Sequence, residues 1–563
     1  MTTPGGERLM KHATEAKADP KLKTVVVASA AGTAFEWYDF FVFGSLAAVI
    51  ARHFFADAGE TVAYIMALLT FGLGFVVRPL GALVFGWFGD RTGRKTTFLV
   101  TITLMGLATV AIGLLPDYNQ IGIAAPILLL IMRVLQGFAL GGEYGGAAIY
   151  VAEHSPQKKR GLLTGWIQTT AAFGLIGALS VILITRQIVG AEAFDDWGWR
   201  IPFLLSAPLL AISLWIRLKL NESPAYQQME AEASDSDHRA PYKEAFFQWR
   251  NGRFVLIALF GIMIAQGAVW YCGYFYTRFF MERVLKVDVN TVDQLVLMIT
   301  VASAGLYVFF GWLSDKVGRK PVMLFGMILA LVAFFPGFHA LTRAANPALA
   351  EAQATAPVVV VADPATCALQ FDPIGKTAFA SSCDIAKSVL SNAGVSYSNV
   401  AAPPGSVAVV RVGGTEIASV EGAGMEAAAL AAARTGVETR IKTALVEAGY
   451  PARADPARLN MPLVFAILMV FMVAATALYG PQAAALVELF PTRVRYTAMS
   501  LPYNIGTGWV GGLLPAASFA LVAWSGNIYF GLWYAVAFTV TAVIVALIWL
   551  PETRHRDLNA IET

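Results

Sequence analysis

The chain has 563 residues, 57% of them hydrophobic and 14% charged, with a formal net charge of +3 and a mean hydropathy of +0.60. That composition excludes an ordinary water-soluble globular protein. The small positive excess resides in loops, where it reports topology and gives no argument for nucleic-acid binding.

Apolar runs of at least about 18 residues read as transmembrane helices. Twelve are present, at 24–50, 61–87, 96–115, 123–152, 161–185, 199–218, 254–281, 293–313, 321–342, 461–486, 497–523 and 528–550. Residues 1–23 are polar, carry Lys11, Lys17, Lys21 and Lys23, and show no cleavage-site pattern, so the first run is expected to stay as a helix. Basic residues resist translocation. They collect in the N-terminal tail, in Lys158-Lys159-Arg160, in the 217–253 segment, at Arg493 and Arg495, and at Arg554 and Arg556. Both termini are therefore expected in the cytoplasm. The expected organisation is a tail (1–23), a six-helix half (24–218), a linker (219–252), helices seven to nine (253–343), an inserted domain (344–459), helices ten to twelve (460–550) and a tail (551–563).

Taken in order, the first run places Glu36 and Asp39 three residues apart on one helix face. An ionisable group costs about 2.5–3.5 kcal/mol at the bilayer centre and usually faces a cavity. Two carboxyls there suit a proton that is loaded and released; the alternative is that one pairs with a buried arginine. Arg78 in the second run and Arg133 in the fourth offer guanidinium forks, which recognise carboxylates bidentately. Each reads either as a substrate anchor or as a tie to Glu36, Asp39 or Glu143. Glu143 lies mid-helix among glycines and is a further candidate for proton coupling, and Gly137, Gly141 and Gly145 at four-residue spacing predict close helix packing.

The charged, glycine-rich turn Gly86–Lys95 recurs as Gly311–Lys320, 225 positions later. Glu153, Pro156 and Arg160 recur as Glu488, Pro491 and Arg495, 335 positions later. Fixed-offset echoes signal a duplicated architecture. The second offset exceeds the first by about 110 residues, which the hydrophilic stretch 344–459 accounts for. Topology puts this insertion outside the cytoplasm. Val358–Val361 and Val407–Val412 read as strands, Asp384 as the cap of a helix reaching Leu390, and Met425–Ala448 as a helix ending near Gly449. Two of the three cysteines, Cys367 and Cys383, fall here, and an oxidising compartment permits a bridge between them. The second half supplies Gln266, Trp270, Tyr271, Tyr274 and Tyr276, then Tyr503 and Asn504, as possible cavity lining, with Trp166 and Gln168 in the first half. Packing is the competing reading for each.

Two halves that each carry Gly-x-x-x-Asp-Arg/Lys-x-Gly-Arg-Lys after their second helix resemble the major facilitator superfamily. Glu36–Phe40, Arg133–Glu143, Trp197–Phe203, Glu222-Ser223-Pro224 and Glu488–Tyr496 narrow the resemblance to its metabolite:proton symporter family, which includes proline/betaine, shikimate, α-ketoglutarate and citrate permeases. The resemblance implies an all-α fold of twelve helices in two six-helix halves, here with a small α/β insertion. It also implies that Asp90, Arg94, Asp315, Arg319, Glu153, Arg160, Glu488 and Arg495 form an inner gate. The insertion departs from the family pattern, and the 13 residues after Leu550 leave no room for the coiled-coil tail of the osmosensing members.

The resulting expectation is a proton-coupled symporter in a bacterial inner membrane. It imports a small polar metabolite, an organic acid first, with a zwitterionic osmolyte such as proline or betaine, an efflux antiporter and a transporter-like sensor as alternatives. No Gly-x-x-x-x-Gly-Lys-Ser/Thr loop appears and the six histidines are scattered, so neither ATP hydrolysis, nor a metal, nor enzyme chemistry is expected. The expected partners are substrate, protons and lipid. The proton gradient takes the place of a cofactor, and a partner of the insertion is left open.

Overall fold

The computed structural model describes residues 20–55, 60–218, 227, 241–368 and 380–558. Most of the N-terminal tail, Glu222-Ser223-Pro224 and the last five residues lie outside the described residues.

Long helices dominate because a backbone in hydrocarbon must satisfy every N–H and C=O within its own segment. They are α1 (Pro20–Ser45, continued as Ala47–Phe54), α2 (Glu60–Thr92), α3 (Arg94–Leu114), α4 (Ala124–His154), α5 (Gln157–Val189), α6 (Arg200–Leu218), α7 (Trp249–Val284), α8 (Val289–Val317) and α9 (Arg319–Ala345). After the insertion come α13 (Met461–Leu489), α14 (Arg495–Val522) and α15 (Leu532–Trp549). Eleven of these are long and apolar enough to cross a membrane among the described residues. With α1, interrupted by Glu36 and Asp39, the twelve expected spans are all helical. Leu183, Ile184, Trp215 and Ile548 are exposed large apolar residues, as a lipid-facing surface requires.

The stretch Gly86–Lys95 is less of a turn than its composition suggests. Helix α2 runs on through Thr92, and the chain breaks only at Gly93, whose φ of +97° suits glycine. Gly318, at φ +116°, makes the same break between α8 and α9. Each break is one residue long, so the charges sit on helix ends that the core holds rigid. The stripe on α4 packs as its spacing predicts: an added Cβ at Gly137 or Gly141 would strike the α2 backbone at Gly74 or Arg78. Helices α7 and α14, which carry the aromatic candidates, contain π-helical turns at Leu259–Met263, Cys272–Tyr276 and Ile505–Gly511. Such turns gather at functional sites.

The insertion begins and ends at one point: Asn460 N–H donates to the Ala344 carbonyl at 2.8 Å. Between them lie α10 (Pro347–Thr355), β1 (Val358–Ala362), α11 (Ser382–Ala393), β2 (Tyr397–Ala401), β3 (Val409–Val412), β4 (Thr415–Ala418) and α12 (Ala427–Glu447). The sheet order is β2-β1-β3-β4. β1 and β2 are parallel through the α11 crossover, while β1–β3 and β3–β4 are antiparallel. β1 alternates buried and half-buried positions; β2 exposes four of its five residues, which is why no alternation marks it in the sequence. A disulfide joins Cys367 to Cys383. The helix cap differs from the expected one. Ser381 Oγ accepts from Asp384 N–H at 3.1 Å, while the Asp384 carboxylate accepts from Ala368 N–H at 2.9 Å.

Among the described residues, the hydrogen bonds from the insertion to the helical body go to the second half. Tyr397 N–H donates to the Gly526 carbonyl at 2.7 Å, Asn399 Nδ2 to Ser525 at 2.9 Å, and Lys286 Nζ to the Asn392 carbonyl at 2.6 Å. The domain rests on the loops after α7 and α14.

Candidate functional site

Two polar clusters stand in the helical body, one at the end carrying the two glycine breaks and one at its centre.

At the end, the last turn of α2 presents Asp90 to the start of α14. Its carboxylate accepts from the backbone N–H of Tyr496 at 3.2 Å and of Thr497 at 2.9 Å. In the other half, Asp315 accepts from Gly161 N–H at 2.9 Å and Leu162 N–H at 2.7 Å, near the start of α5. Each half thus supplies the carboxylate that satisfies orphan donors on a helix of the other, where the helix dipole also favours negative charge. Arg94 pairs with Asp90 at 3.2 Å and donates to the Thr492 carbonyl at 2.6 Å; Arg319 pairs with Asp315 at 2.6 Å. The second set of echoes crosses over as well. Arg495 pairs with Glu153 at 2.6 Å, and Arg160 pairs with Glu488 at 2.8 Å. Arg319 also reaches Glu488 at 3.2 Å. All eight side chains are buried. The structure brings together every residue of the expected gate, with the halves joined at this end.

The sequence reading missed the segment after α15. Thr553 Oγ1 donates to Glu488 at 2.7 Å, and the Glu552 carboxylate accepts from Arg319 N–H at 2.9 Å and Lys320 N–H at 3.1 Å, capping α9. A signal exists as a third echo. Glu552-Thr553 follows the last span as Glu222-Ser223 follows the sixth.

At the centre, Arg78 is 2% exposed. Its guanidinium lies 4.4 Å from the Phe75 ring centroid and 4.8 Å from that of Phe40. Tyr271, Tyr479 and Tyr503 of the second half lie close to it, and Tyr271 shares a hydrogen bond with it. Arg78 has no ion-pair partner among the described residues, and its Nε and Nη2 have no hydrogen-bond acceptor there. Arg133 is its neighbour. From Arg133 a polar chain leads inward: Nη1 donates to Gln136 Oε1 at 2.7 Å, Gln136 Nε2 donates to Thr109 Oγ1 at 2.7 Å, and Thr109 stands beside Asp39. Ser206 also donates to Asp39.

Glu36 takes a different course. It pairs with Arg217 at 2.9 Å, both about 1% exposed. By sequence Arg217 belongs to a basic loop; the structure buries it at the end of α6 with its guanidinium 3.5 Å from the Phe98 centroid. Neither Arg78 nor Arg133 makes a described ion pair with Glu36, Asp39 or Glu143. Glu143 Oε2 is buried without a hydrogen-bond partner among the described residues.

The remaining candidates divide. Trp270 Nε1 donates to Tyr307 Oη at 2.9 Å, Tyr274 and Thr300 share a bond of 2.6 Å, and Tyr503 and Tyr479 one of 3.3 Å. Gln168 is buried, and Gln266 Oε1 is buried without a partner among the described residues. Asn504 ties the halves instead of lining space, donating from Nδ2 to the Gly141 carbonyl at 2.8 Å. Tyr276 packs against Phe338 and Phe519, and Trp166, 44% exposed, faces outward. Phe41, Leu175, Trp270, Tyr274, Thr300 and Tyr307 are among the residues around a cavity of about 20 Å³. That is room for a single water.

Residues 24–245 and 376–563 match the family described as "Sugar (and other) transporter", and residues 146–368 match "MFS/sugar transport protein". The chain is 37% identical over 328 residues to the proline/betaine transporter of Escherichia coli K12, covering 57% of this chain and 65% of that one. It is 36% identical over 328 residues to a glycine betaine/proline/ectoine/pipecolic acid transporter of Dickeya dadantii, with the same coverage. Its identity to the shikimate transporter of Escherichia coli K12 is 34% over 326 residues, covering 57% of this chain and 73% of the relative. The chain therefore spans just under two thirds of the length of the first two relatives. Among solved structures, the proton:xylose symporter XylE bound to 6-bromo-6-deoxy-D-glucose aligns at TM-score 0.59 and 16% identity, covering 96% of this chain and 98% of that one.

Proposed function

The chain belongs to the sugar (and other) transporter family and has the major facilitator fold, and from that premise we propose that it is a proton-coupled symporter for a small carboxylate-bearing metabolite. The observation that carries this reading is Arg78: a permanent charge between the two halves, ringed by aromatic side chains, with no described carboxylate to neutralise it. A buried unpaired charge is strongly unfavourable, and a bound carboxylate is the partner that a guanidinium fork fits. The substrates for which the relatives are named, proline, betaine and shikimate, each bear a carboxylate.

Alternating access supplies the mechanism. With Asp90 and Asp315 capping opposite halves, the gate is shut and substrate enters from the far side. Asp39 carries the proton, and the chain Thr109–Gln136–Arg133 couples its charge to the arginine pair. Rocking of the halves then breaks the caps and releases both. The gate end faces the cytoplasm of a bacterium, both termini lie there, and the insertion lies outside, in keeping with its disulfide. The chain needs no cofactor and catalyses no covalent step.

Proteoliposomes test this directly. Uptake of labelled shikimate-like acids, proline and betaine should accelerate under an imposed inward proton gradient. Uptake insensitive to the gradient removes proton coupling, and transport of neutral sugars with none of any carboxylate removes the substrate class.

A further inference from the structure

On the face that carries the gate, a cavity of about 470 Å³ opens beside Leu489 and Pro491, which follow Glu488 in the chain. Arg250, Arg253, Arg493 and Arg556 line it, against only two carboxylates, Glu244 and Asp557. Glu244 is already engaged by Arg493 at 2.9 Å, and Arg493 Nε stays buried without an acceptor among the described residues. Arg253 and Arg556 share one aromatic ring, lying 4.8 and 5.5 Å from the Phe254 centroid. Burial holds the Arg556 guanidinium below its ordinary value. Glu488 pulls it back up, and the nearby charge of Arg253 pushes it down again. Four guanidiniums gathered round open space, two of them on the same ring, make a concave cationic surface suited to an oxyanion.

The cavity also has a depth. Phe247 and Trp249, at the start of α7, are 82% and 73% exposed, and they flank Gln248, which lines the cavity. Exposed aromatic residues at the end of a span mark the headgroup layer. Basic pockets at that level beside transmembrane helices take anionic headgroups.

We propose that this cavity binds a phosphate-type anion, presented by the headgroup of an anionic lipid, which ties the linker and the C-terminal tail to the second half beside the gate. Its walls come from the segment before α7, the first turn of α7, the α13–α14 loop and the segment after α15. An anion bridging them fastens the linker and the C-terminal tail to the gate-side face of the second half. The site is independent of what the protein transports.

The test uses the full chain in neutral detergent and in phosphatidylcholine nanodiscs. Phosphatidylglycerol should be retained over phosphatidylcholine in native mass spectra and should raise the melting temperature. Arg250→Gln and Arg253→Gln should each weaken that preference about fivefold, while Lys158→Gln, an exposed cation outside the cavity, should leave it unchanged. Arg250 is exposed, so its variant keeps the test open should Arg253→Gln fold poorly. Phosphatidylglycerol acting where inorganic phosphate does not supports the lipid source. Stabilisation by inorganic phosphate alone, lost in Arg253→Gln, overturns the lipid source and leaves a soluble anion. Equal losses in Lys158→Gln and Arg253→Gln, or no loss in either cavity variant, overturn the site.

Discussion

Arg78 and Glu36 are both buried charges, and their neighbours give them different work. Glu36 is matched within its own half by Arg217. Glu36→Gln strands a buried guanidinium and should cost about 3–5 kcal/mol, read as a fall in melting temperature; the double variant Glu36→Gln/Arg217→Gln should lose clearly less. Arg78 has no carboxylate partner among the described residues, so Arg78→Gln should leave the fold intact and abolish carboxylate uptake. Loss of a buried charge-assisted contact is worth about 2–5 kcal/mol, which a substrate-induced melting shift would report. Arg78→Lys should not rescue, since an ammonium cannot reproduce the fork. A stable Glu36→Gln, or an Arg78→Lys with normal uptake, contradicts these assignments. The charges themselves are plain in the sequence because they interrupt apolar runs. Their partners are not. Arg217 looks like a loop residue until α6 is seen to carry it 181 positions back onto α1, and helical periodicity holds no information about that contact.

At the scale of elements, the proposed gate is built from helix ends that lack their own caps. No described side chain of the α5 or α14 start closes those N-termini; carboxylates from α8 and α2 do. Losing a cap to alanine costs about 0.5–2 kcal/mol, and Asp90→Ala with Asp315→Ala removes two. The double variant should therefore populate the open gate. In a Cys272→Ala background, Ser500→Cys, buried opposite Gly145, should then label faster with a thiol reagent applied from the gate side. Unchanged labelling would falsify the capping account. Repeats in the sequence locate these residues because duplication preserves position. They do not pair them: an offset equates Glu153 with Glu488, whereas the contacts run from Glu153 to Arg495 and from Glu488 to Arg160. The strands β2 and β4 escape the sequence for a related reason, since short, exposed strands carry no alternation to read.

At the scale of the molecule, the hydrogen bonds of the inserted domain among the described residues go to the second half. Its hydrogen bonds to Gly526, Ser525 and Lys286 predict that it moves as one body with the second half. Spin labels at Glu438→Cys and Arg343→Cys should keep a constant separation when substrate and protons are added. Labels at Glu438→Cys and Glu192→Cys, on opposite halves, should not. A changing first distance would detach the domain from the rocking body. The single bond from Asn460 N–H to the Ala344 carbonyl then acquires a practical meaning. Because the two crossings of that boundary meet, the bundle's path from α9 to α13 is complete without what lies between. Any compact domain whose own ends meet can stand in that place, as a rigid fiducial for imaging a transporter otherwise too featureless outside its detergent belt to orient.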